Sequence, residues 1–363
     1  MELRAWGASH GRSAQQTITG LVWLVFALTS CGKNQSALDQ AATIAAATIA
    51  AINTTIAPTS TAIPTATLEP TPTSTPPPTA TPLAGGGRIA FISNRYGQQD
   101  LFTIRPDRSD LNRLTETSSD EWGPSWSPDG SQLAYAYYNL LQPIETGVYL
   151  INSGGSASYQ LVGKGWGPSW SPDGQRLIFG FNPCRGSYCL HEEMTGSDLR
   201  LISAEGGSAL AITGNRLDHS NPDWSPDGKQ IAYEVLLGSW PVWNIEIYLT
   251  DEASSDEVRF TTFAGDDVHP AWSPDGQRLA FSSSGSGNHE IQVINLDGTG
   301  LTRLTEHIAT DWQPTWSPDG RWIAFASDRS GNFDLYLLEL ESGQLVQLTD
   351  DPGDEAEPDW SSS

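Results

Sequence analysis

The sequence predicts an all-β protein: a six-bladed β-propeller that is closed by its C-terminal strand and preceded by a disordered stalk. A seven-residue motif, Pro-x-Trp-Ser-Pro-Asp-Gly, begins at Pro124, Pro168, Pro222, Pro270 and Pro314, and a shortened copy begins at Pro358. The copies are 44 to 54 residues apart, and the sequence between them reads as short strands with no helical period. A third observation is a long Thr- and Pro-rich segment before the first repeat.

Each repeat predicts four strands. Its Ser-Pro-Asp-Gly segment is a tight turn, because Pro presets φ, Asp can bond the local backbone and Gly adopts the left-handed conformation. An apolar second strand follows, for example Leu133-Ala-Tyr, and then an alternating third strand such as residues 335–340. The fourth strand ends in Leu-Thr, as at Leu304-Thr305. Four strands for every ~44 residues are typical of a propeller blade.

The two ends of the repeat region complement each other. It opens with a second-strand sequence at residues 88–93 and closes with a first-strand sequence at residues 358–361. We therefore expect the C-terminal strand to complete the blade begun by residues 88–115, which gives six blades and protects the edges of the first and last sheets.

Residues 1–30 read as a secretory signal. An apolar segment of eleven residues, 18–28, is too short to span a bilayer, which takes about 20 residues. Leu28-Thr29-Ser30-Cys31 resembles the lipobox of bacterial lipoproteins. The resemblance implies a lipid on Cys31 and an extracytoplasmic protein anchored at the periplasmic face or the cell surface. The alternative is an ordinary secretory signal in which the cysteine is incidental.

Residues 31–87 read as a stalk. They consist mainly of Ala, Thr, Pro, Ser and Ile, and proline at this density excludes helices and sheet ladders. The stalk is either a plain spacer between the lipid and the domain or an O-glycosylated segment. The predicted domains are therefore residues 1–30, 31–87 and 88–363.

The repeat is similar to the TolB-type propeller repeat, since Pro-x-Trp-Ser-Pro-Asp-Gly is followed by Ile-Ala-Phe and by a strand like Asp334-Leu-Tyr. The resemblance covers residues 88–363 and implies a fold more than a function. Related blades occur in periplasmic TolB, in peptidases as gating domains, in sugar lyases and in lipoproteins. The chain departs from TolB in having a predicted anchor and stalk instead of the amino-terminal α/β domain, so partner peptides cannot be transferred from TolB.

The charge restricts the kinds of partner. The chain has 43 acidic and 19 basic residues, a net charge of −24. Residues 1–87 contain three of each sign, so the whole excess belongs to the repeats. This argues against binding to nucleic acid, which needs a basic surface, and favours a basic or cationic ligand.

The segment before each motif proline supplies the candidate binding site. Three of the six copies have Trp two residues before the proline. If these segments converge at the channel mouth, they form an acidic, aromatic-rimmed funnel for a basic peptide, a cation or a sugar. The alternative is a solvated loop whose tryptophans lie on neighbouring blades. The candidate residues are Trp122, Trp166, Trp312, Asp267, His269, Asp311 and Glu357.

No cofactor is expected. His219 and His269 are weak metal candidates because they lie on successive blades near acidic residues, and they read more simply as solvated loop histidines. Calcium binding at the acidic loops is an open alternative, although the sequence contains no twelve-residue calcium-binding loop. Cys184 and Cys189 are expected to form a disulfide that staples an insertion.

The function predicted from the sequence is a lipid-anchored, non-catalytic binding module for a protein, a peptide or a glycan. The alternative is an enzyme on the same scaffold, a metal-assisted polysaccharide lyase or hydrolase, which requires His219 or His269 to meet carboxylates at metal-ligand distance. No nucleophile elbow, phosphate loop or His-Glu-x-x-His motif occurs in the repeats.

Overall fold

The computed structural model describes residues 86–139, 146–182, 196–214, 217–239, 242–252 and 256–362. They form six four-stranded antiparallel sheets and no helix. The predicted all-β, six-bladed propeller is therefore confirmed. We number the blades 1 to 6 along the chain.

Each blade has the same order of strands from the channel outward. The innermost strands are β4 (Asp120–Trp126), β8 (Gly165–Trp170), β12 (Asp218–Trp224), β16 (Asp267–Trp272), β20 (Asp311–Trp316) and β24 (Glu355–Trp360). The second strands are β1 (Ile89–Ser93), β5 (Gln132–Tyr138), β9 (Arg176–Phe181), β13 (Ile231–Ser239), β17 (Arg278–Ser283) and β21 (Trp322–Ser327).

The two outer strands follow in the same way. The third strands are β2 (Asp100–Ile104), β6 (Gly147–Asn152), β10 (Asp198–Ser203), β14 (Val242–Thr250), β18 (Glu290–Asn295) and β22 (Asp334–Glu339). The fourth strands are β3 (Asn112–Arg113), β7 (Tyr159–Gly163), β11 (Leu210–Ala211), β15 (Val258–Arg259), β19 (Thr302–Arg303) and β23 (Leu345–Gln347).

Blade 1 is completed by the C-terminal strand, as the two ends of the repeat region predicted. Strand β24 pairs antiparallel with β1, with Trp360 opposite Ile89 and Glu355 opposite Ser93. At the end of this pairing the Arg88 amide donates to the Ser361 hydroxyl at 2.7 Å. The ring is thus closed by hydrogen bonds between residues more than 260 positions apart.

The Ser-Pro-Asp-Gly turns form by the mechanism that their composition predicted. In each of the five turns the serine hydroxyl donates to the aspartate two residues later, at 2.6 to 2.8 Å. The same aspartate accepts the amide two residues further on. The turn glycines have φ between 67° and 71°, a conformation that glycine adopts without steric cost.

The threonine of each Leu-Thr pair fixes the fourth strand to the third. In five blades a threonine at this position, after Leu, Ile or Phe, accepts a hydrogen bond through its hydroxyl from an amide of the third strand, as Thr305 does from Ile291 at 2.9 Å. The donor is the second residue of that strand in four blades and Ile247 in blade 4. In blade 5 the same hydroxyl donates to Glu290 at 2.7 Å. This explains why Thr, rather than Val, recurs at a buried position.

The core consists of six apolar layers, each lying between two adjacent blades. Each layer contains one motif tryptophan, and these six side chains are 5 to 7% exposed. One example is Trp126 of blade 2, which packs with Ile92 and Leu101 of blade 1. The motif tryptophans therefore hold the blades together. Four of them, Trp224, Trp272, Trp316 and Trp360, also line the central channel.

Several predicted features lie outside the described residues: the signal, Cys31, nearly all of the stalk, and the Cys184–Cys189 pair. Within the described part of the chain, no helix is long and apolar enough to cross a membrane.

Candidate functional site

The innermost strand of every blade has a bulge immediately before its proline. The pairing with the second strand shifts at this point in all six sheets. The residue before the proline has a positive φ, between 45° and 57°, in each blade. These six residues, which we call the bulge ring, are Gly123, Gly167, Asn221, His269, Gln313 and Glu357.

The bulge ring lines a central channel of about 390 Å³. Its members link neighbouring blades: the Gly123 amide donates to the Glu357 carboxylate, and the Glu357 amide donates to Gln313 Oε1 at 3.0 Å. Gln313 Nε2 donates back to Glu357 Oε1 at 3.3 Å. A left-handed conformation costs a non-glycine residue roughly 1–2 kcal/mol. These hydrogen bonds help to offset that cost.

Three carboxylates face the channel, and no Lys or Arg lines it within the described residues. They are Asp223, Glu357 and Asp359. Burial raises the pKa of Glu357 to about 7, that of Asp223 to about 7 and that of Asp359 to about 6. The negative charge of Asp359 raises the pKa of Asp223 further. No Lys or Arg side chain among the described residues neutralises these carboxylates in the channel. The negative charge of the channel therefore increases as the pH rises through neutrality.

Two of these carboxylates also join blades. Asp359 accepts a hydrogen bond from the Trp126 amide at 2.7 Å, and Asp223 accepts one from the Trp272 amide at 2.8 Å. Each bond runs from one blade to the innermost strand of the next. Because hydrogen bonding stabilises the ionised form, it limits the rise in pKa that burial produces.

A second cavity, the mouth pocket, opens beside the bulge ring between blades 2 and 3. Its volume is about 160 Å³, and its lining includes Trp122, Trp166, Tyr137, Tyr138 and Glu357. The Trp122 side chain is 39% exposed, so an indole face is available to a ligand. The pocket combines aromatic walls with a carboxylate shared with the channel.

A glycine on strand β9 makes room for the Trp166 indole. A Cβ at Gly180 would lie 2.6 Å from Trp166 Cε2, which is closer than real Cβ atoms approach. Gly180 faces Trp166 in the register of β8 and β9. Glycine at this position therefore lets the indole lie against the strand.

Trp312 is separated from the other two candidate tryptophans. Its ring stacks on His289 at 4.7 Å, and its indole nitrogen donates to His269 Nδ1. It lines neither the channel nor the mouth pocket. Burial lowers the pKa of both histidines. The structure thus brings Trp122, Trp166 and Glu357 together and places Trp312 with His269.

Asp267 and Asp311 lie at the starts of their strands, and both side chains are fully buried. Asp311 accepts two bonds from Arg329 at 2.7 Å. In blade 5 Gly285 stands where this arginine would be, and burial raises the pKa of Asp267 to about 6. Both side chains are outside the mouth pocket.

The metal candidates are also apart. His219 is fully buried, with Nδ1 2.7 Å from the Ser197 carbonyl and Nε2 3.3 Å from Glu257. His269 contacts Trp312 instead. In the described ranges, no three His, Cys, Asp or Glu side chains are grouped as a metal would require.

The sequence reasoning missed Asp223, Asp359 and Tyr137. The two aspartates occupy the variable position of Pro-x-Trp, where the other blades have Ser, Ser, Ala and Thr. That variation was visible in the aligned repeats. Tyr137 lies near the end of a second strand, and nothing in its spacing distinguished it from a core residue.

Chemically, the mouth pocket and channel form one acidic site. Aromatic faces attract cations, and a partly buried carboxylate binds an ammonium or guanidinium group strongly. The arrangement is suited to holding a basic side chain.

Comparison with known proteins gives the fold a family context. Residues 187–363 match the family described as TolB beta propeller domain. A stretch of 148 residues is 28% identical to the "Protein TolB homolog" of Chlorobium luteolum, covering 41% of this chain and 31% of that protein. A stretch of 177 residues is 29% identical to the "Uncharacterized peptidase YuxL" of Bacillus subtilis, covering 47% of this chain and 22% of that protein. The alignments thus span about a third and about a fifth of these relatives.

Among solved structures, TolB from Acinetobacter baumannii superposes with a TM-score of 0.62 at 20% identity. The superposition covers 76% of this chain and 66% of that one. At this identity the likeness concerns the fold.

Proposed function

Starting from a TolB-type β-propeller, we propose that this protein is a lipid-anchored, extracytoplasmic module that binds the basic side chains of a protein or peptide. The observation that carries the proposal is the mouth pocket, where Trp122 and Trp166 flank Glu357 at the edge of a channel lined by carboxylates. The TolB-type fold supports a protein partner in general, and the lipobox at Cys31 supports the anchor.

A peptide is favoured over a glycan by the charge of the site. A sugar would stack on indole without needing three carboxylates, whereas an ammonium or guanidinium group uses both features. The mouth pocket, at about 160 Å³, has room for one side chain. We therefore expect recognition of a Lys or Arg within an extended segment.

No observation favours the enzyme alternative. It requires His219 or His269 to meet carboxylates as metal ligands. His219 lies near one carboxylate, that of Glu257, and its other ring nitrogen lies 2.7 Å from the Ser197 carbonyl. His269 Nδ1 accepts a hydrogen bond from the Trp312 indole, and among the described residues neither histidine belongs to a group of three possible metal ligands.

The test is a peptide array probed with the purified full-length protein and with Trp122→Ala/Trp166→Ala. We expect the protein to prefer Lys- or Arg-containing peptides over acidic ones, and the double variant to lose at least tenfold in affinity. Trp312→Ala is the matched control, because it removes the equivalent side chain from a blade outside the mouth pocket. Equal binding by the wild type and the double variant would reject the site.

A further inference from the structure

A third cavity, the basic cleft, lies between blades 1 and 2 near the end of β4 that carries Trp126. Its volume is about 510 Å³, within the range of small-molecule sites. Its lining includes Arg88, Arg105, Trp126, Gly130 and Ser361, and no acidic residue lines it within the described part of the chain. The charge of this lining is opposite to that of the channel, where the described charged residues are carboxylates and none is Lys or Arg.

The arginine at the start of the second strand is placed differently in blade 1 than in blades 3 and 5. In blades 3 and 5 the arginine at the start of the second strand covers the motif tryptophan of the next blade: Arg176 lies 5.6 Å from the Trp224 ring and Arg278 lies 4.8 Å from the Trp316 ring. Arg88 holds the corresponding position in blade 1 but pairs with Asp110 instead. Trp126 therefore lacks an arginine contact, although its side chain is buried like those of the other motif tryptophans.

The local charge is unusual for this protein. The turn between β2 and β3 carries Arg105 and Arg108, whereas the five corresponding turns contain no Lys or Arg. Arg105 contacts Asp110 only through Nε, at 3.3 Å, so its two terminal nitrogens remain available. The guanidiniums of Arg88 and Arg105 share the Asp110 carboxylate. Asp107, whose pKa is lowered mainly by hydrogen bonds from Ser109 and further by the charge of Arg105, lies in the same turn but does not line the cleft.

The remaining arginines nearby are already engaged. Arg113 also lines the cleft, but its guanidinium pairs with Asp100 at 2.7 Å and stacks on Tyr96. Arg108 donates to the Gln347 carbonyl of blade 6. The indole nitrogen of Trp126 is buried and has no hydrogen-bond partner, a property it shares with those of Trp170 and Trp224. Arg88 is engaged as well, since Nη1 donates to the Thr103 hydroxyl and the Asp110 carbonyl and Nη2 donates to the Asp110 carboxylate. The donors available to a ligand are therefore the terminal nitrogens of Arg105 and Nε of Arg88.

We propose that the basic cleft binds a phosphate-bearing ligand through Arg88 and Arg105. Guanidinium groups match the geometry of phosphate oxygens and form charge-assisted hydrogen bonds with them. The cleft is larger than a bare phosphate, which indicates an esterified phosphate, either on a soluble molecule or in a lipid headgroup. This site is independent of the mouth pocket and does not rest on the proposed function.

The experiment compares the full-length protein with Arg88→Gln/Arg105→Gln and with Arg105→Gln alone. The Arg105 side chain is half exposed and lies in a turn, so we expect the single variant to fold with nearly unchanged stability. Lys229→Gln is the control, because it removes one exposed positive charge from the Ser-Pro-Asp-Gly turn of blade 4. Glycerol 3-phosphate is titrated by calorimetry, and phosphatidylglycerol and phosphatidylcholine vesicles are compared by co-sedimentation.

We expect the double variant to weaken binding at least tenfold, Arg105→Gln to weaken it severalfold, and Lys229→Gln to leave it unchanged. Binding of glycerol 3-phosphate without a preference for phosphatidylglycerol identifies a soluble ligand. A preference for phosphatidylglycerol that the double variant loses identifies a headgroup. The proposal is overturned if the wild type binds neither probe, or if Lys229→Gln weakens binding as much as the double variant does.

Discussion

Glu357 is the residue that links the mouth pocket to the channel. It lines both cavities, accepts the Gly123 amide, and has a positive φ of 54°. Burial raises its pKa to about 7, so near neutral pH it changes between an ionised and a neutral form. Its positive φ is shared by the whole bulge ring and belongs to the repeat, so the role of Glu357 rests on its carboxylate.

At this scale we predict a pH dependence of binding. A carboxyl group with a pKa near 7 is mostly neutral at pH 6 and mostly ionised at pH 8, so affinity for a Lys-containing peptide should rise over this interval. Asp223 and Asp359, whose pKa values are also raised, act in the same direction. Glu357→Gln keeps an acceptor oxygen but removes the charge, and should lower affinity about tenfold at pH 8, or about 1.4 kcal/mol.

The measurement is calorimetric titration of the same peptide at pH 6, 7 and 8. Glu306→Gln is the control, because that side chain is 88% exposed and outside both cavities. An affinity that is independent of pH, or that falls as pH rises, would contradict the role given to Glu357.

At the scale of the element, each blade depends on a few repeated contacts. The Ser-Pro-Asp-Gly turn joins the first and second strands, and the threonine of Leu-Thr joins the fourth strand to the third. Fourth strands of only two residues, such as β19, have little ladder of their own. Side-chain hydrogen bonds therefore contribute a larger share of the stability at the outer edge of the blade.

Thr305→Val tests this contact. It keeps the shape of the side chain but leaves the Ile291 amide and Glu290 without their hydroxyl partner. Leaving buried polar groups unsatisfied costs about 1–3 kcal/mol each. We predict a loss of unfolding free energy in that range, measured by denaturant titration. Thr302→Val, at an exposed position three residues earlier in the chain, should change stability by less than about 0.5 kcal/mol; a similar loss in both variants would contradict this explanation.

At the scale of the whole molecule, charge is distributed unevenly around a closed ring. The net charge is −24, and the channel and mouth pocket are lined by carboxylates without Lys or Arg. The basic cleft is lined by arginines without an acidic residue. The described part of the molecule therefore has two cavities suited to cations and one suited to anions.

Much of this architecture could be predicted from the sequence, because each of the repeats carries the same information about the blade. Six copies of one motif determine the blades, and the incomplete repeats at the two ends determine the closure through β24. Trp122 and Trp166, which the sequence singled out just before Pro124 and Pro168, line the mouth pocket.

What could not be predicted were contacts between blades. Trp312 occupies the same sequence position as Trp122, yet His289 of the preceding blade stacks on it. Asp267 and Asp311 read as mouth residues, but both side chains are fully buried, and Asp311 pairs with Arg329 of its own blade. The placement of Trp312 depends on a side chain of the neighbouring blade, which no single repeat contains.

The most direct test of the central claim is hydrogen–deuterium exchange of the full-length protein with and without the tightest-binding basic peptide from the array. The account predicts slower exchange in residues 120–124 and 163–168, which carry Trp122 and Trp166, with no change in residues 105–110 or 306–312. Protection that is absent from residues 120–124 and 163–168 and present elsewhere would contradict it.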